Sequence, residues 1–146
     1  MSLENLVGVS LEKIDPNQAT IKRLMSAAER NIEEAKIAQI GPENRFDIAY
    51  KAIMQLANAA LQANGFRTLT SKPGHHRTMI QALGKSASID AETIMVLDAM
   101  RKQRNVVDYS GDVVPESAAT ECVMRAEALL RSVKVWLENN KPELSA

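Results

Sequence analysis

The sequence predicts an all-α fold, an up-and-down four-helix bundle with one additional short helix. Three observations carry this reading. Apolar residues recur at steps of three and four in four separate stretches, the spacing that lines one face of a helix. Aromatic residues are limited to Phe46, Phe66, Tyr50, Tyr109 and Trp136, so Ala, Leu, Ile and Met must fill the core, which suits packed helices better than a sheet. No stretch alternates with period two.

Taken in order, residues 1–14 carry scattered apolar positions (Leu3, Leu6, Val7, Val9, Leu11, Ile14) around Gly8 and read as an arm lying on the body. Asp15-Pro16-Asn17-Gln18 reads as a helix start, with Asp15 as cap and Pro16 at the first position. Ile21, Leu24, Met25, Ala28, Ile32 and Ala35 then share one face, and Gly41 is the expected stop. Pro42 opens a second helix whose stripe is Phe46, Ala49, Tyr50, Ile53, Leu56, Ala57, Ala60 and Leu61, ended by Gly65. The two are about 23 residues each, roughly 35 Å long. Their connection is so short that they should be antiparallel neighbours. Residues 66–74 read as a loop from their Thr, Ser, Pro and Gly content. A short helix is expected over roughly 75–83, with Gly84 as its break.

Asp90 caps the next helix, with Ile89 and Ile94 placed as a hydrophobic staple, and Gly111 is positioned to end it. The last helix begins near Pro115 and runs to about Asn139. Its stripe is Ala119, Cys122, Val123, Ala126, Leu129, Leu130, Val133, Trp136 and Leu137, and Pro142 stops it. The organisation is thus an arm over 1–14, one bundle domain over 15–139 and a tail over 140–146. Met25, Met54, Met79, Met95, Met100 and Met124 fall at helical spacings and read as core filler.

A chain of 146 residues suits one domain able to bury a real core. Zero net charge excludes an electrostatic nucleic-acid binder over the whole surface. The charge is uneven, however: residues 67–104 hold seven Lys or Arg against three acids, and the flanking segments are slightly acidic. A local anionic partner fits that distribution. The single cysteine, Cys122, lies on an apolar stripe and reads as core, leaving no intrachain disulfide and no metal cluster. No carboxylate pair, Glu-x-x-His motif or glycine-rich phosphate loop is present, so neither a metal nor a cofactor is expected. The apolar runs are too short to cross a membrane, and the N-terminus lacks the basic start and apolar core of a signal peptide. Cytoplasm is the expected compartment.

The most informative stretch is Arg101-Lys102-Gln103-Arg104-Asn105-Val106-Val107-Asp108-Tyr109. The stripe through Ile94 and Leu97, continued at helical spacing, runs into Arg101, Arg104 or Asn105, and Asp108. Charge on a core-facing line is costly unless paired or lining a cavity. The stretch is therefore either a solvated helix end or a polar site built into a bundle. His75, His76 and Arg77 follow Pro73-Gly74 and read either as a solvated, capped loop end or as donors that suit an anion.

Four motifs together resemble the HEPN (higher eukaryotes and prokaryotes nucleotide-binding) family. They are RFDIAYKAIMQLANAALQANGFR, KPGHHRTMIQAL, RNVVDY and ATECVMRAEALLRSVKVWL, and they cover roughly residues 18–138. The resemblance implies a helical bundle that pairs into a homodimer. It also implies an RNA or nucleotide ligand, a nucleotidyltransferase-type partner, and a place in a two-gene toxin–antitoxin module. Active relatives cut RNA with an Arg followed four to six residues later by His. Here Arg104 and Asn105 match the front of that motif, and Asp108 or Tyr109 stands where the His would be. An ordinary Asp is a far weaker base than His near pH 7. The reading is thus a non-catalytic binding domain whose ligand-binding candidates are Arg101, Arg104, Asn105, Asp108, Tyr109, His75, His76 and Arg77. Its alternatives are a ribonuclease with an atypical base, His75 or His76, and a purely structural bundle.

Overall fold

The computed structural model describes residues 2–71, 73–110 and 113–145; the side chains of residues 107–110 lie outside what it describes. The five expected helices are present as α1 (Gln18–Ala35), α2 (Pro42–Ala63), α3 (His75–Gln81), α5 (Ala91–Ser110) and α6 (Glu116–Asn140), and two short helices that were not expected, α4 (Leu83–Ser86) and α7 (Pro142–Ser145), accompany them. The protein is a predominantly helical bundle. Helix α2 is its centre, packed along α1 on one side and α6 on another.

The composition of α2 accounts for that position. Phe46, Ala49, Tyr50, Ala52, Ile53, Leu56, Ala57, Ala59, Ala60 and Leu61 are all buried, which leaves α2 polar along only one narrow strip. The alanines let neighbouring backbones approach closely, and the larger residues fill the gaps between them. From α1, Ile21, Ala28, Ile32 and Ala35 face this helix. From α6 come Ala119, Cys122, Val123, Ala126, Leu129, Val133 and Leu137. Leu24, Leu130 and Trp136 are only partly buried, and Met95 and Met124 are exposed rather than core filler. Helix spacing specifies a face, and a residue at the border of that face is covered only where a neighbour reaches it.

Several boundaries differ from the sequence expectation. The cap of α1 is Asn17, whose Oδ1 accepts from the Thr20 N–H at 3.0 Å; Asp15 and Pro16 precede the helix. Helix α1 ends at Ala35, six residues before Gly41. There Arg45 donates from Nε to the Ala35 carbonyl at 2.8 Å and pairs with Glu116, tying α1, α2 and α6 together at one end. Gly84 does not break the short helix. The chain resets at Ala82, and Gly84 lies within α4. Pro142 starts α7 rather than ending all helix, and Leu144 within it is buried.

The 1–14 arm does lie on the body, with Leu11 buried, but it and the start of the expected 66–74 loop carry regular structure that the sequence did not show. Leu3–Leu6 form a short 3-10 helix, and β1 (Leu11–Lys13) pairs antiparallel with β2 (Phe66–Thr68). Leu11, Phe66 and Thr68 point inward and are buried, while Glu12 and Arg67 pair on the outside. Three-residue strands are too short for alternation to register in a sequence. Gly65 makes the junction possible. It adopts φ +86° directly after α2, and a Cβ there would sit 3.4 Å from the Ile14 carbonyl.

Helix α5 joins differently. It leans chiefly on α3, with lighter contact to α2 and α4. Asp90 caps it as expected, accepting from the Thr93 N–H at 3.2 Å and from its hydroxyl at 2.6 Å. Leu97 and Met100 are its buried residues among those described. This arrangement leaves a gap between α5, α3 and the polar strip of α2.

Candidate functional site

That gap is a cavity of about 470 Å³, within the range of small-ligand pockets. Helix α2 supplies one wall through Asp47, Tyr50, Lys51, Gln55 and Asn58. Tyr50 belongs to the buried stripe, and Asp47, Lys51, Gln55 and Asn58 lie at helical spacing beside it and form the polar strip. Helix α3 contributes His76 and Met79, and α5 contributes Arg104.

Tyr50 is the hub. It is 2% exposed, and burial pushes its phenol up to about 12, with Arg104 and Arg101 opposing that shift. The hydroxyl is therefore protonated at neutral pH. It lies 3.3 Å from His76 Nδ1. The Arg104 guanidinium sits over the Tyr50 ring, 5.2 Å from its centroid, a cation–π arrangement. Arg104 Nε also lies 3.7 Å from Asp47 Oδ1, across a partly exposed gap where such a pair adds little stability.

His76 is half-buried. Burial lowers its pKa first, followed by the charges of His75, Arg104 and Arg101. It is thus held neutral near pH 7. A neutral imidazole has two tautomers. With the proton on Nε2, Nδ1 accepts from the Tyr50 hydroxyl and Nε2 is a donor suited to an anion. With the proton on Nδ1, that nitrogen donates to Tyr50 and Nε2 becomes a base. The His75 ring packs edge-on to His76, centroids 4.8 Å apart, and does not line the cavity.

The residues singled out from the sequence are thus divided. Arg104 and His76 come together. Arg101 is paired elsewhere: its Nε donates to Asp98 at 2.8 Å, and this bond holds the Asp98 carboxyl below its usual range. Asn105 is exposed and lines no part of the cavity. Arg77 points to the opposite side of α3, into a different groove. The side chains of the candidates Asp108 and Tyr109 lie outside the described residues; among those described, Asp47 stands beside Arg104. Sequence reasoning overlooked Asp47, Lys51, Gln55 and Asn58. Their three- and four-residue spacing along a helix otherwise buried on most sides was the available signal.

Both pocket amides are anchored from behind. Asn31 Nδ2 donates to Gln55 Oε1 at 2.8 Å, and Gln62 Nε2 donates to Asn58 Oδ1 at 3.0 Å. Their NH₂ groups remain without a protein partner among the described residues. With Lys51 and Arg104, the cavity is rich in donors, and among the described residues Asp47 is its one acidic lining residue. Among the described residues, no group of His, Cys, Asp and Glu is gathered as a metal ion needs, and no helix is long and apolar enough to cross a membrane. No family model matches the chain, and no curated protein matches it either.

Proposed function

We propose that this chain is a HEPN-like domain, acting as a cytoplasmic homodimer, that binds the phosphate of an RNA or nucleotide in the α2–α3–α5 cavity. Its partner on this reading is a nucleotidyltransferase-type protein in a two-gene module. The observation that carries the ligand reading is the seating of Arg104. It rests on the Tyr50 ring at the cavity wall, held in place by the ring and offset from the Asp47 carboxylate by 3.7 Å. An arginine fixed in this way keeps donors available to a phosphate, which it can hold bidentately. Lys51 and the amides of Gln55 and Asn58 add donors along the same wall.

Fluorescence anisotropy with a labelled single-stranded RNA at low salt tests this. Wild-type protein is expected to bind weakly and to lose affinity as salt rises, since phosphate contacts release counterions. Arg104→Ala is expected to abolish binding. Wild-type affinity retained by Arg104→Ala overturns the assignment.

One observation favours a second reading, RNA cleavage. His76 is neutral, half-buried and within 3.3 Å of a protonated Tyr50, close to Arg104. In the tautomer with Nδ1–H donating to Tyr50, Nε2 can take a 2′-hydroxyl proton while Arg104 faces the phosphate. Cleavage by purified protein, lost in both His76→Gln and Arg104→Ala, selects this reading. Binding without cleavage selects the first.

A further inference from the structure

Residues 48–89 contain no Asp or Glu, yet they hold Lys51, Arg67, Lys72, Arg77 and Lys85. Lys51 belongs to the cavity described above, Arg67 is paired with Glu12, and Lys72 lies outside the described residues. Arg77 and Lys85 remain. Both are exposed, and neither has an acidic partner among the described residues. They line a second groove, of about 600 Å³, between α3–α4 and the N-terminal segment. Its floor includes Leu3, Leu6 and Ala82, and no acidic residue lines it among the described residues. Glu4, the nearest acid in sequence to that floor, is paired with Lys13 at 3.1 Å.

Helix α3 separates the two depressions. His76 and Met79 face the cavity that holds Arg104. Arg77, Gln81 and, beyond them in α4, Lys85 face the second groove at four-residue intervals. The helix with its side chains is a ridge about 10–12 Å across. A mononucleotide in the cavity cannot reach over it, and a strand of several nucleotides can.

We propose that the groove lined by Arg77 and Lys85 is a second backbone-binding subsite, so that the ligand is a single-stranded RNA lying across α3 rather than a free nucleotide. This rests on the reading of the Arg104 cavity as a phosphate site. The cavity holds one phosphate, and the groove neutralises further phosphates of the same strand. Its apolar floor gives unstacked bases a surface to lie on, the combination of charge and apolar platform that serves single strands elsewhere.

The test compares a labelled RNA of about ten nucleotides, inside the usual span of a small single-strand site, with a labelled dinucleotide. Binding is measured across a salt series. Arg77→Gln combined with Lys85→Gln removes two exposed cations, and circular dichroism checks that the fold is kept. Arg30→Gln, on exposed α1 surface, controls for charge loss in general. For the longer RNA, the double variant should weaken binding and flatten the log–log salt slope by about 1.4, at about 0.7 per lost single-strand phosphate contact. Dinucleotide binding and the Arg30→Gln protein should be unchanged. An unchanged slope and affinity for the longer RNA, with loss in Arg104→Ala, overturns the second subsite and leaves the cavity reading standing. Equal weakening for both probes, or an equal effect of Arg30→Gln, also overturns it. Failure of the wild type to bind either probe at low salt overturns the cavity reading and this one with it.

Discussion

Leu97 and Met95 are two apolar residues on the same helix with opposite environments. Leu97 is fully buried where α5 packs against the body, while Met95 is 72% exposed. Truncating Leu97 to Ala removes Cγ, Cδ1 and Cδ2. At about 0.8 kcal/mol per carbon group, the lost transfer free energy is about 2.4 kcal/mol. Any cavity that persists adds about 24 cal/mol per Å³, so Leu97→Ala is expected to cost about 2.5–4 kcal/mol. With a urea slope of about 1–3 kcal/mol/M, the unfolding midpoint should fall by roughly 1 M or more. Met95→Ala should stay within about 0.5 kcal/mol of wild type. Trp136 fluorescence and far-ultraviolet circular dichroism, followed together through urea unfolding, provide the measurement. Trp136 reports on α6, and dichroism on the whole bundle. Near-neutral Leu97→Ala refutes the seating of α5. A Met95→Ala cost as large as that of Leu97→Ala places the covered face of α5 on the wrong side.

Other outcomes follow from the ionisable groups. His76 is held below its ordinary pKa, so below about 6.5 the unfolded chain binds a proton that the folded one resists. Its contribution is intact above that pH, and stability is lost as pH falls from there towards the folded value. Unfolding midpoints compared between wild type and His76→Gln should therefore diverge below about 6.5, with the variant less sensitive to acid; parallel curves refute the burial of His76. The Cys122 thiol is pushed up to about 12 by burial, with Asp47 and Glu121 adding to the shift. A thiol-reactive dye should leave it unlabelled in folded protein and label it once urea unfolds the chain; rapid labelling of folded protein contradicts the packing of α6 on α2.

The helices and their buried faces were legible because helix packing writes itself into the sequence at steps of three and four. The stripe of α2 from Phe46 to Leu61 is buried at every position expected from its spacing. What lay beyond reach was whatever depends on a distant segment. The strand pairing of Leu11–Lys13 with Phe66–Thr68 joins residues far apart in sequence, each strand too short to show a period. Asn17 rather than Asp15 caps α1 because the cap is set by which side chain reaches the Thr20 N–H, and both residues are chemically competent. The site was half visible. Arg104 stood out as charge on a core-facing line, and His76 as a donor in a basic segment. Their meeting depends on α3 packing against α5, and the partner of Arg104 is Asp47 of α2, which no local spacing reveals. Arg101 looked equivalent to Arg104 in the sequence, yet the bond to Asp98 commits it to its own helix.

The cavity joins two walls of unequal mechanical standing. Helix α2 is enclosed on most sides, so its amides should exchange with solvent only when the whole molecule opens. Helix α5, with Leu97 and Met100 as its buried anchors among the described residues, has far less to lose in a local excursion. A ligand bridging Arg104 to the α2 strip therefore clips a loosely held element onto the stiffest one. On the proposed reading, that clip suppresses the local openings of α5 and so slows its hydrogen exchange, and by stabilising the folded state it also raises the protection of α2 against global opening. If the proposed ligand binds there, the rhythm of capture and release belongs to α5, and changes that tighten its seat near Leu97 should lengthen the life of the bound state without touching a single group that meets the ligand.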